Sequence, residues 1–273
     1  MTTERHLSGG PFGFVPIAEG RSTSKPRQRG LTMMIDQGLG VAATRDLVET
    51  AGAYIDLAKI KTGTARLYNE KQLVKKLSVY TKAGIRPFIG GQFHEYVFAT
   101  LGENHLPQFY QEATRLGFAC IEISDNVVPL SDTDRPRQIR MARNAGLSVF
   151  AEVGAKDRRT SAEELVAQAR ICFDSGAELV LVEAAELVVD GVADAAMLDT
   201  LYTSLDPARV MFELPGPWIE NVHLCDIEAL KKMLVRNFGP DVNVANVSPD
   251  TVIDFEATRS GLGVAGPPSF WQK

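Results

Sequence analysis

From Gly30 onward the chain alternates between two patterns of apolar and polar positions. Short apolar runs rich in β-branched residues recur at regular spacing, and each is followed by a longer stretch with helical, amphipathic periodicity. The short runs predict eight strands, at 31–36, 54–60, 85–89, 118–123, 147–153, 178–183, 210–213 and 242–247. The longer stretches predict helices at 44–52, 70–84, 106–117, 136–146, 161–176, 194–205 and 219–239. Gly52, Gly84, Gly117, Gly146 and Gly176 fall where a helix should stop, the position at which glycine is favoured. Strict alternation of strand and helix implies parallel strands joined by right-handed crossovers, and eight such units close into a (β/α)₈ TIM barrel. An open doubly wound sheet would carry a glycine-rich phosphate turn after its first strand. The chain has Asp36-Gln-Gly-Leu-Gly40 there, with neither a GxGxxG fingerprint nor a P-loop. The pattern therefore predicts one α/β barrel over residues 30–273, preceded by a polar arm over residues 1–29.

Composition narrows the partners. The 273 residues are 45% hydrophobic and 23% charged, with a net charge of −5. That balance suits a globular protein acting on a small molecule, and it disfavours nucleic acid, which wants clustered Lys and Arg. No apolar run is long enough to span a membrane, and the polar start, Met1 to His6, does not read as a secretory signal, so a cytoplasmic location is expected. Cys120, Cys172 and Cys225 form no CxxC pair and read as buried free thiols. The arm ends in a cluster containing Arg21, Lys25, Arg27 and Arg29, either a solvated charge cluster or a lid over the barrel mouth.

In such barrels the reactive groups lie at the C-terminal ends of the strands and in the loops that follow. Those positions hold Asp36, Lys59, Lys61, Gly90-Gly91-Gln92, His94, Glu95, Glu122, Ser124, Asp125, Asn126, Glu152, Lys156, Glu183, Glu213 and Asn246. Carboxylates within apolar runs are informative, because they are seldom buried unless paired or bound to metal. Glu152, Glu183 and Glu213 close three consecutive strands, and neighbouring strands lie about 4.8 Å apart, so their carboxylates can converge. Three oxygen donors without clustered Cys or His suit a hard cation, Mg²⁺ before Zn²⁺; salt bridges to Lys59, Lys156 and a nearby Arg are the alternative. Lys59 should point into the barrel and need a carboxylate partner such as Asp36. Lys156 could protonate a carbanion, stabilise an enolate or form a Schiff base. Gly90-Gly91 permits close approach of backbone to a ligand and leaves amides free for an anion, or is an ordinary tight turn. Gln92, His94, Ser124 and Asn246 are candidates for contact with a small anionic substrate.

The ordered set of strand ends is similar to one family. Arg29-Gly-Leu-Thr-Met-Met-Ile-Asp36-Gln-Gly38, Tyr54-Ile-Asp56-Leu-Ala-Lys59, Gly63-Thr64, Gly90-Gly91 and Gly117-Phe-Ala-Cys-Ile-Glu122-Ile-Ser124-Asp125 are followed by Glu152-Val-Gly154-Ala-Lys156, Glu183, Phe212-Glu213-Leu-Pro215 and Asn243-Val-Ala-Asn246. Together these resemble the phosphosulfolactate synthase family over about residues 29–262. The resemblance implies a homo-oligomeric lyase that adds sulfite to phosphoenolpyruvate with Mg²⁺ through a metal-stabilised enolate, with Lys156 as proton donor. The chain departs from the family at Gln37, Ala155, Ala185 and Gly263, where the family usually carries Lys or Arg; it also has Gln92 for a family Thr and Thr62 for a family Trp. Four lost cations at the mouth would point to replacement by the arm arginines, to a less anionic substrate, or to a non-catalytic stress or binding role such as plant relatives have.

Overall fold

The computed structural model describes residues 11–154, 159–189, 192–267 and 269. Its strands are β1 (Thr32–Asp36), β2 (Leu57–Ile60), β3 (Arg86–Ile89), β4 (Cys120–Ile123), β5 (Ser148–Val153), β6 (Leu179–Glu183), β7 (Val188–Val189), β8 (Val192–Ala193), β9 (Val210–Glu213) and β10 (Val244–Val247). Eight of them close into a parallel barrel in the order β1-β10-β9-β6-β5-β4-β3-β2, while β7 and β8 pair as a separate antiparallel hairpin. All eight strands expected from the apolar runs are present, each within its predicted span. The fold is the (β/α)₈ TIM barrel.

The helices are α1 (Val41–Ala51), α2 (Glu70–Lys82), α3 (Gly91–Leu101), α4 (Leu106–Leu116), α5 (Asp134–Asn144), α6 (Ala162–Asp174), α7 (Ala195–Ser204), α8 (Leu224–Phe238) and α9 (Val252–Arg259). Their limits follow from local chemistry. Ser161 and Asp194 accept hydrogen bonds from first-turn amides of α6 and α7, and α4 buries Leu106, Tyr110 and Ala113 on one stripe before Gly117 ends it at φ +100°. Gly52 does not stop α1 in this way: its φ is −58°, and it opens a 3₁₀ turn leading into β2. Two helices, α3 and α9, are absent from the sequence reading, and α8 starts at Leu224 rather than at residue 219.

Strand alternation divides the core in two. One face of every strand packs outward against the helices, and the other fills the barrel with Leu31, Met33, Leu57, Phe88, Cys120, Phe150, Leu179, Leu181, Met211 and Ala245. The rings of Phe88 and Phe150 meet edge to face, with centroids 5.1 Å apart. This apolar plug closes the lower half of the barrel. The next inward positions, towards the C-terminal ends, include Lys59, Glu122, Glu152, Glu183 and Glu213, so the interior turns from apolar to ionic within two residues on these strands.

The described part of the arm is fastened at the opposite end from the mouth. Arg21 donates to both carboxylate oxygens of Glu256 (2.8 and 2.7 Å) and to Asp241 (3.2 Å), and Arg27 pairs with Asp56 (3.0 Å). Lys25 donates to the carbonyls of Gly52, Ile55 and Ala83, at the entries to β2 and β3. Residues 21–27 thus brace the N-terminal ends of the strands and do not cover the mouth. Gly263 also lies at that end, beside Thr258 near the foot of α9, so a cation there would not serve the mouth. Of the thiols, Cys120 and Cys172 are buried as expected, but Cys225 is exposed on the first turn of α8.

Candidate active site

A cavity of about 270 Å³ opens at the C-terminal end of the barrel, and its charged lining consists of Lys59, Lys61, Glu122, Glu152, Glu183 and Glu213. Lys59 is the hub. Its ammonium lies 2.8 Å from Glu122 and 2.6 Å from Glu213, all three side chains being buried. Burial alone would lower its pKa, but the charges of Glu122, Glu213 and Glu152 outweigh that and hold it protonated. Glu122 sits in the converse balance. Burial pushes its pKa up to about 7 against the pull of Lys59, and Glu213 and Glu152 add to the rise. Its other oxygen accepts the amide of Gly91 (3.1 Å), which fixes the carboxylate at the start of α3.

Glu152, Glu183 and Glu213 each offer an oxygen, and the three oxygens lie within 4.8 Å of one another. Asn126 donates to Glu152 (2.8 Å), and Asn246 donates to Glu213 (2.6 Å) and to the carbonyl of Leu214 (3.1 Å). Asn246 does so with φ at +58°, a conformation that asparagine tolerates better than most residues. The amide oxygens of Asn126 and Asn246 are buried without a protein partner among the described residues. Among the described residues, four carboxylates against two lysines leave the lining formally two negative charges in excess. An all-oxygen donor set with that deficit fits a hard divalent cation held by Glu152, Glu183 and Glu213.

The sequence-predicted residues divide. Lys59, Gly90, Gly91, Gln92, Glu152, Glu183, Glu213 and Asn246 all line the cavity. Lys156 and Ala155 lie outside the described residues, as does the side chain of Ala185. Asp36 is not the partner of Lys59 and does not face the cavity. It closes β1 one residue after the inward Ile35, so it points outward, where it pairs with Lys76 (2.6 Å) and accepts from Tyr80 (2.7 Å) and the amides of Gly38 and Leu39. His94 is also displaced from the site. The Gly-Gly segment is the N-terminus of α3 rather than a loop, and this turns His94 away into contact with Tyr110, 2.9 Å from its hydroxyl. Ser124 is buried and donates to Glu95, outside the cavity lining.

Glu95, Glu122 and Asn126 gain contacts that strand-end reading did not assign, and Lys61 and Trp218 also line the cavity. Glu122 was recoverable, since it shares the inward parity of Lys59 and Glu152. Glu95 accepts the Ser124 hydroxyl and the amides of Asn126, Val127 and Val128, and so positions the loop that carries Asn126. A side chain at Gly91 would strike Ser124 Oγ at 2.0 Å and Glu122 at 2.8 Å, so glycine is required for α3 to start this close to β4.

A carboxylate ring and a clamped lysine at the C-terminal face of a parallel barrel occupy the place where barrel enzymes carry their active sites. Comparison with known proteins gives the family. The ComA family, described as (2R)-phospho-3-sulfolactate synthase, matches residues 20–264, and the chain belongs to it. The phosphosulfolactate synthase of Methanothermobacter thermautotrophicus is 31% identical over 251 residues, covering 88% of this chain and 92% of that protein. That of Methanocaldococcus jannaschii is 29% identical over 246 residues, covering 86% and 92%. The crystal structure of phosphoenolpyruvate phosphomutase from Streptomyces platensis subsp. rosaceus shares the fold, with a TM-score of 0.50 at 14% identity over 82% of this chain and 77% of that one. The chain is therefore an enzyme of a lyase family.

Proposed function

We propose that the protein adds sulfite, or a related nucleophile, to phosphoenolpyruvate or a similar unsaturated acid, as the name of its relatives implies. The observation that carries this reading is the meeting of Glu152, Glu183 and Glu213 with the Lys59–Glu122 clamp in one cavity. The sulfur lone pair attacks the terminal methylene carbon and forms the carbon–sulfur bond. The alkene π pair moves towards the substrate carboxylate, and a proton is then delivered to the neighbouring carbon. Bound at the three glutamates, Mg²⁺ would supply positive charge where that negative charge develops.

The protein's own groups divide the remaining work. Lys59, held protonated between two carboxylates, fixes Glu122 and Glu213 and adds a permanent positive charge at the cavity floor. It is poorly placed to give up its proton. Lys156, three residues past the end of β5, is the proposed proton donor on the strength of its place after Glu152. Gly90 and Gly91 bring backbone to the cavity wall, and Asn126 and Asn246 hold two of the three metal-binding carboxylates.

A second reading, in which the acid is less anionic, draws support from the placement of Arg21 and Arg27. Both are tied to carboxylates at the far end of the barrel and cannot replace cations at the mouth. One assay addresses both readings. Phosphoenolpyruvate with sulfite should give phosphosulfolactate only with Mg²⁺. Glu183→Gln and Lys156→Met should each lower kcat at least about a thousandfold, within the range expected for a lost acid–base or charge-stabilising group, with melting temperatures little changed. No product from phosphoenolpyruvate, but addition to an unphosphorylated unsaturated acid, would transfer the assignment to the second reading.

A further inference from the structure

Lys61, the first residue after β2, lines the same cavity as Lys59 but is held differently. Its ammonium sits 3.2 Å from the ring centre of Trp218. Although four glutamates line the cavity, none of the described carboxylates forms a salt bridge with it. Lys59 is saturated by Glu122 and Glu213, and Arg135, the nearby arginine, is committed to Asp125 and the carbonyl of Glu152. Lys61 is thus the cation of the described lining whose charge is answered only by an aromatic face. Burial, and then the like charge of Lys59, lower its pKa, as expected of an ammonium short of an anionic partner.

Trp218 is seated to accept that ammonium. It belongs to the segment between β9 and α8, and its ring folds back over Gly216 so closely that a Cβ there would lie 2.1 Å from the indole. A cation–π contact is weaker than a charge-assisted hydrogen bond to an oxyanion, and an ammonium on a flexible stem moves from one to the other at little cost.

We propose that Lys61 is the specificity residue of the cavity: its ammonium leaves the face of Trp218 to take the oxyanion group of the substrate that lies away from the carboxylate ring, a phosphate or a sulfonate. This rests on the lyase reading above for its substrate, but anion binding itself is measurable without turnover. The two ends of the cavity then divide the work, with the glutamate ring and its cation facing the reacting acid and Lys61 reading the distal anion. An uncharged distal group would leave Lys61 on Trp218 and bind weakly.

The test uses the full chain with Trp271→Phe, which leaves Trp218 as its one tryptophan. Indole emission is followed during titration with inorganic phosphate, with sulfite and with phosphoenolpyruvate, with calorimetry as the indole-independent measure. Saturable quenching or enhancement is expected with at least one oxyanion, and which one responds identifies the group that Lys61 reads. Lys61→Met should abolish the response and weaken binding about tenfold or more, the scale of one charged contact. Lys61→Arg should restore binding to within a few-fold, because the charge is kept. If the enzyme turns over phosphoenolpyruvate with sulfite, Lys61→Met should raise KM by a similar factor with kcat little changed. Binding that is the same in Lys61→Met as in the parent overturns the assignment, as does the lack of any response to all three anions. Lys61-dependent binding without turnover would leave the assignment standing and remove the lyase reading instead.

Discussion

His94 shows how a polar side chain near a site can belong wholly to the core. It has no solvent exposure, stacks on Tyr110 with ring centres 5.9 Å apart, and shares a hydrogen bond with the Tyr110 hydroxyl. Burial lowers its pKa to about 3. Below the ordinary histidine pKa of about 6.5 the unfolded chain takes up a proton that the folded chain refuses, so the stability from this residue is present above that pH. It is lost as pH falls towards the folded value, by up to a few kcal/mol. His94→Gln should therefore flatten the fall in melting temperature between about pH 6.5 and 4, and KM for the acid substrate should not move. A raised KM with an unchanged acid limb would return His94 to the substrate. Asp36 teaches a related lesson. Leu31, Met33 and Ile35 share the inward parity of β1, so Asp36 must face α2, and counting that alternation forward from Leu31 would have separated it from Lys59.

Among the elements, the strands were legible because each is a short apolar run bounded by polar residues, and the carboxylates of inward parity at their C-terminal ends open on the mouth. Glu152, Glu183 and Glu213 were readable for that reason. The start of α3 was not. Gly90 and Gly91 are poor helix formers and read as a turn, yet glycine is what the tight approach of Ser124 and Glu122 demands. That helix also carries Glu95, whose carboxylate collects the amides of Asn126 (3.1 Å), Val127 (2.6 Å) and Val128 (2.9 Å) along with the Ser124 hydroxyl. Contacts so distant in sequence leave no local pattern. Glu95→Gln would turn an NH₂ donor towards these donors, for a loss of about 1–3 kcal/mol. Melting should fall by roughly 2–4 °C per kcal/mol in a chain of this size. Because Asn126 would then hold Glu152 less firmly, apparent Mg²⁺ affinity should weaken several-fold. A variant that melts lower but binds Mg²⁺ as before would limit Glu95 to holding the loop.

Across the whole molecule, the two ends of the barrel use charge for different purposes. At the mouth, the carboxylates and lysines of the described lining share one cavity with fewer positive than negative groups, a balance that favours a bound cation. At the base, three buried arginines are tied to fixed acceptors. Arg21 is fully buried against Glu256 and Asp241, Arg27 against Asp56, and Arg259 donates to the carbonyls of Pro240, Val242 and Leu31 where strands begin. Residues 21–27 thus brace the base, and Arg21 and Arg27 are unavailable to a phosphate at the other end. Breaking one buried pair while leaving its partner charged costs about 3–5 kcal/mol. Arg21→Met, which strands Glu256, should accordingly lower melting by roughly 10 °C. In the protein that remains folded, KM and kcat should be unchanged to within about twofold, since nothing in the brace touches the cavity. Deleting residues 1–28 removes Arg27 as well and should destabilise further, so Arg21→Met keeps the question answerable if the truncated chain fails to fold. A variant that melts normally but shows KM raised tenfold or more would mean that the arm reaches the mouth, and the shortage of cations there would then be met from the arm rather than by Lys61.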